Sequence, residues 1–238
     1  MKKKIMAIML CAAMLAITIV SGTMAYFTDT DVQTNTFTAG KVDISMDEAV
    51  VEKDEAGNLV AKADGSRTSD TQTYHLYPAQ TITKDPTITV ASDSEDAYVA
   101  AIITITGDIH SLIGVPGYDN IDITQLASGG LIDKSSTQVT NWNGLSMVYE
   151  TEDCVIYQDA GKETNTWTMY IFMKNVQTKD SKIVLFNTLT IPEAWDNDEM
   201  AKINGMQINI AAYAAQANGF DSCYEAMTAA FASEFSFS

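Results

Sequence analysis

The chain has 238 residues, 46% of them hydrophobic, and its 31 Asp and Glu outnumber its 14 Lys and Arg to give a formal net charge of −17. That acidity argues against nucleic acid and anionic lipid as partners, because both would be repelled. The apolar content suffices for a sizeable core, and no Pro-rich or Gly/Ser-rich linker divides the chain, so a single main domain is expected.

At the start, Lys2, Lys3 and Lys4 precede an apolar run over residues 5–20 and a small-residue stretch over 21–25. The run is shorter than the ~20 apolar residues a spanning helix needs. Thr23-Met24-Ala25 offers a small-x-small cleavage site, so residues 1–25 read as an export signal and the product as secreted, in the extracellular matrix or on the cell surface. Removing the three lysines takes the net charge from −17 to −20. Solubility is the simplest reason for such a surface; assembly controlled by divalent ions or pH is the second.

Residues 27–36 are polar apart from Phe27 and Val32, too poor in apolar side chains for a core strand of their own subunit, and residues 26–36 read as a flexible arm. From there on, runs rich in Thr, Val, Ile and Tyr follow period two, which predicts half-buried strands. Residues 37–46 form the first, with Val42, Ile44 and Met46 on one face. A hairpin turns at Glu55-Ala56-Gly57-Asn58. Residues 63–73 read as a mobile loop, and 74–90 as a strand at an edge or broken near Pro86. Residues 97–106 are the most apolar and are expected at the centre of a sheet.

Residues 107–143 mix Gly114, Pro116 and Gly117 with short apolar pieces and read as an insertion holding one short helix. Residues 145–149 and 154–157 are expected to pair, with a turn at Asp159-Ala160-Gly161-Lys162 and strands over 166–173 and 183–191. A short helix is expected over 193–202 and a last strand over 206–212. Phe220, Tyr224, Met227 and Phe231 then recur at helical spacing, behind Asp221 as the cap. The prediction for 37–238 is one all-β domain, a jelly-roll-like two-sheet sandwich with short helical insertions and a C-terminal helix.

Chemistry-bearing residues are few. His75 and His110 are far apart, and no His-Glu-x-x-His, Gly-x-Ser-x-Gly or phosphate loop occurs, so no catalysis is expected. Asp29/Asp31, Asp93/Glu95/Asp96 and the trio Asp196, Asp198 and Glu199 are calcium candidates, with solvated acidic turns the favoured reading; no other cofactor is expected. Cys11 leaves with the signal. Cys154 and Cys223 remain, either as a disulfide closing a long loop, worth roughly 4 kcal/mol, or as two buried thiols. Phe235-Ser236-Phe237-Ser238 shows no apolar tail or wall-sorting motif, so no covalent anchor is expected there.

Three stretches carry a resemblance. They are Ala25-Tyr26-Phe27-Thr28-Asp29 followed by Asn35-Thr36-Phe37-Thr38-Ala39-Gly40-Lys41-Val42-Asp43-Ile44; Tyr77-Pro78-Ala79-Gln80 with Lys84-Asp85-Pro86 and Asp96-Ala97-Tyr98-Val99; and Gln207-Ile208-Asn209-Ile210 through Ala215-Gln216-Ala217. In these the chain resembles the TasA/camelysin family of Gram-positive bacteria. The resemblance implies export by a dedicated signal peptidase, a jelly-roll fold, and assembly into biofilm matrix fibres in which the mature N-terminal segment of one subunit completes a sheet of the next. Phe27 would then be the anchor of the donor segment and Val32 a second. The partners would be other copies of the chain and a minor matrix or nucleating protein. One departure stands out: the family's frequent Pro-Gly is Pro78-Ala79 here, so this turn need not hold a left-handed residue. Camelysin-like relatives are classed as metalloendopeptidases, the least favoured reading; a secreted adhesin using residues 107–143 is the alternative to a matrix protein.

Overall fold

The computed structural model describes residues 41–107, 126–132, 137–139, 142–145, 148–159 and 166–237, all within the second of two compact units, Gly40–Ser238. The export signal, the arm with Phe27 and Val32, Asp29, Asp31, His110 and residues 160–162 lie outside the described residues.

The period-two runs fold as expected into an all-β sandwich. Its largest sheet runs in the order β15 (Gln207–Gln216), β7 (Ala97–Thr106), β12 (Thr166–Met173), β11 (Cys154–Asp159), β10 (Val148–Glu150) and β9 (Thr137–Val139), antiparallel throughout. The most apolar run, β7, is central, paired along its length with β15 on one side and from Ala100 to Thr106 with β12 on the other.

The opposing layer is made of two sheets whose strands run into one another. One has the order β13 (Lys182–Val184), β6 (Thr87–Val90), β1 (Ile44–Ala49), β4 (Arg67–Thr68). The other has β2 (Val51–Lys53), β3 (Leu59–Ala61), β5 (Thr81–Thr83), β14 (Thr188–Thr190), β8 (Ala127–Ser128). Of the chain's five passages between these described strands, three are short direct crossings, at Val50, at residues 84–86 and at residues 185–187, the way sandwich corners form when strands switch sheets. Pro86 has no N–H to give a ladder, and it marks the second crossing, where its carbonyl accepts from Leu185 N–H at 3.0 Å. At the third, the expected single strand over 183–191 is in fact β13 and β14 in different sheets. The reason is that Leu185 and Phe186 are both buried, so the apolar run has no polar gap to betray the bend. The expected loop over 63–73 likewise contains a paired strand, β4, held on β1 through Glu48↔Thr68 and Ala49↔Arg67.

The six-stranded sheet is covered on both faces. Towards the other layer, Val99, Ala101, Ile103 and Ile105 of β7 meet Ile82, Ile88, Val90, Trp167, Met169 and Ile171 in the main core. On its outer face, Tyr98, Ala100, Phe172 and Ala215 lie beneath the helix α2 (Cys223–Ala230) and the chain end, where Phe235 is 1% exposed. That is why β7 is buried at every position from Ala97 to Ala101 instead of alternating. The N-cap of α2 is Ser222, whose side chain accepts from Glu225 N–H at 3.2 Å, and not the expected Asp221, whose own N–H donates to Glu225. The helix expected over 193–202 is shorter, α1 (Asn197–Lys202), because Asp196 caps it three residues inside that span.

Candidate functional site

A groove of about 480 Å³ opens between β2, which contributes Val51, Glu52 and Lys53, and the segment Gln72, Thr73, Tyr74, His75 and Tyr77, with Leu59 and Gln80 also lining it. Over residues 71–76 burial alternates with period two, and Tyr74 and Leu76 pack on the main core. This is the pattern of a strand, yet among the described residues no backbone group of residues 71–76 has a hydrogen-bond partner. Facing it, β2 pairs among the described residues with β3 alone and forms the edge of that sheet. The groove is thus walled by two strand-like edges, each with main-chain donors and acceptors to offer.

Beneath it lies a polar cluster that fixes the wall. Lys84 and Glu48 form an ion pair with side chains 10% and 13% exposed. Glu48 Oε1 also accepts from Gln72 Nε2 at 3.0 Å and from the Tyr74 hydroxyl at 3.3 Å, and Lys84 Nζ stands 5.6 Å from the Tyr74 ring centroid. Burial, and then the Glu48 charge, push the Tyr74 hydroxyl well above its ordinary pKa, so it stays a donor. Next to this pair Arg67, the only arginine of the chain, donates to Asp47 and Asp85 at 2.6 Å each and to Thr87 at 2.9 Å, tying β4 to β1 and β6. No periodic pattern points to this cluster; Arg67 sits in a polar run that reads as loop.

At the far end of the groove the Tyr77-Pro78-Ala79-Gln80 turn adjoins a second cleft of about 310 Å³. Gln80 N–H donates to Tyr77 O, Tyr77 N–H to Gln80 Oε1, and Gln80 Nε2 to Gly57 O, so this buried amide locks the turn to the β2–β3 hairpin. Ala79 has φ of 61°, so the left-handed residue that the Pro-Ala sequence seemed to dispense with is present after all. A side chain at such a φ is strained, and Ala79→Gly is expected to stabilise the fold by about 0.5–1 kcal/mol, read as a higher urea midpoint with unchanged slope.

The other sequence candidates fall elsewhere. Asp196, Asp198 and Glu199 meet at the start of α1, where Asp196 accepts from Asp198 N–H at 2.8 Å and Glu199 from Asp196 N–H at 3.0 Å. Hydrogen bonding, first with Glu199 and then with the Asp198 amide, holds the Asp196 carboxyl below its ordinary pKa. Among the described residues no group of three or more His, Cys, Asp or Glu side chains is placed to hold a metal ion. His75 stands exposed in the groove wall. Cys154 and Cys223 are two separate buried thiols, the second of the two readings left open by the sequence, and no disulfide joins them. Cys154 lies in the core between the layers and Cys223 on the outer face at the start of α2, with the six-stranded sheet between them.

Fold and groove define an all-β sandwich with an incompletely paired sheet edge. The family described as camelysin metallo-endopeptidase matches residues 1–59, which supports assigning the chain to the TasA/camelysin family. No curated protein and no solved structure gives a significant match. Among the described residues no helix is long and apolar enough to cross a membrane.

Proposed function

We propose that the chain is a secreted, non-enzymatic structural protein of the extracellular or biofilm matrix that assembles into fibres by strand donation, residues 27–36 of one copy completing a sheet of the next. The observation that carries this reading is the core-packed but unpaired segment 71–76 facing the free edge of β2. A strand laid in that groove gains a row of main-chain hydrogen bonds and removes two open edges at once. Phe27 would anchor it and Val32 would follow.

Donation between copies is favoured over self-filling by where the arm begins. Lys41 precedes β1, whereas the groove starts beside Ala49 at the other end of that strand, where Gln72 Nε2 reaches the Ala49 carbonyl at 2.9 Å. Eight extended residues separate the two points, about 26 Å. An arm would have to double back over that distance to reach its own groove.

Electron microscopy of the mature protein tests the reading. The unmodified chain is expected to form fibres, and Phe27→Asp with Val32→Asp to leave a folded protein without them. Fibres from the double variant would overturn strand donation, and zinc-dependent peptide cleavage by the purified protein would overturn the non-enzymatic part in favour of the activity in the family description.

A further inference from the structure

Among the described residues the sheets of the sandwich end in six edge strands, and these are far from equal. β2, β4, β8, β9 and β13 are two or three residues long, while β15 has ten. β15 is bonded to β7 from Gln207↔Thr106 to Gln216↔Ala97, and among the described residues no strand pairs with its other edge. Its sequence, QINIAAYAAQ, contains no charge and no proline, and no bulge interrupts its register with β7. These are the devices by which natural sheets block edge-to-edge association, and β15 lacks them all. In a chain of net charge −17, an uncharged strip about 33 Å long is a place where a second copy meets no repulsion.

The cover of the strand selects how two copies would meet. On its outer face Gln207, Asn209 and Ala211 are exposed, whereas Tyr213 and Ala215 lie under α2 and the chain end. Antiparallel partners share a face only when directly opposite residues have the same parity. A two-fold axis at Ala211 sets Asn209 against Tyr213 and Gln207 against Ala215. The open half of each strand then lies against the helix-covered half of the other, and the two helices stand on opposite sides of the axis. We propose that β15 is a homodimer interface, two copies pairing antiparallel about Ala211 to merge their six-stranded sheets into one. This contact is separate from the groove, so chains linked end to end through arms would also be joined side by side.

The test uses the full mature chain carrying Phe27→Asp and Val32→Asp, studied by sedimentation equilibrium up to about 100 µM. A monomer–dimer equilibrium with a micromolar dissociation constant is expected, because one strand pair is a small interface. Added singly, Ala211→Glu and Ala211→Lys place like charges opposite one another and should each weaken the dimer at least tenfold. Mixed in equal amounts they should restore it, since each then faces its opposite charge. Circular dichroism confirms that both variants remain folded. A monomer at every concentration, or a mixture no tighter than its components, overturns the proposal. If the arm variant still polymerises, strand donation fails on its own. The edge contact is then read from whether either Ala211 variant breaks the polymer and the mixture rebuilds it.

Discussion

Replacing Lys84 with alanine is expected to destabilise the protein by about 3–5 kcal/mol, since it leaves the Glu48 carboxylate inside the sandwich without its cation. Among the described residues the Gln72 amide and the Tyr74 hydroxyl would remain as its side-chain donors, at 3.0 and 3.3 Å. Neutral donors of this kind offset part of the lost Coulomb attraction and no more. Removing both charges together, with Glu48→Leu and Lys84→Met, should cost much less than the sum of the single changes. What remains is about 1 kcal/mol for the Tyr74 hydroxyl, which loses its Glu48 acceptor, whereas Gln72 Nε2 keeps the Ala49 carbonyl at 2.9 Å. Urea denaturation of the four proteins of this cycle measures the difference. Strict additivity would show that the pair is not coupled and that the groove wall is held by packing alone.

The second large effect is expected at the chain end. Phe235 is 1% exposed, with its ring centroid 5.1 Å from Tyr213, 5.5 Å from Phe172 and 6.0 Å from Tyr170. Phe235→Ala removes the centre of this aromatic cluster and should cost about 3–5 kcal/mol. Phe237 packs beside it on Tyr170 and Tyr157 at 4.9 and 5.2 Å, so the last residues form a lid over the outer face of the six-stranded sheet. Loss of the lid should open that face, which increased binding of a hydrophobic dye below the unfolding transition would report. A variant as stable as the parent would mean that the chain end rests on the sheet without holding it.

Legibility in the sequence follows from what each pattern measures. Alternation reports which side chains are buried, and so it located β7, β12 and β15 and even the strand-like segment at Tyr74 and Leu76. It says nothing about which backbone lies alongside, and the unpaired edge of residues 71–76 was therefore invisible until the neighbours were in place. Runs buried on both sides erase the signal altogether, which hid the bend at Leu185 and Phe186. The polar cluster was illegible for the opposite reason. Glu48, Arg67, Lys84 and Asp85 look like surface residues one at a time, and only the meeting of β1, β4 and the residues around Pro86 turns them into partners. Phe235 and Phe237 escaped because a terminus is expected to fray.

The fate of the two thiols has a practical side. Burial pushes the Cys223 thiol up to about 12, with its Sγ donating to the Val99 carbonyl, and Cys154 is completely enclosed. Neither sulfur can be reached by an oxidant or an alkylating reagent while the sandwich is closed. The folded domain is thus chemically silent towards maleimides. A cysteine engineered onto its surface, on the hairpin at Glu55 for instance, becomes a unique attachment point for a dye, and growth of an assembly can be followed from one known position on every subunit.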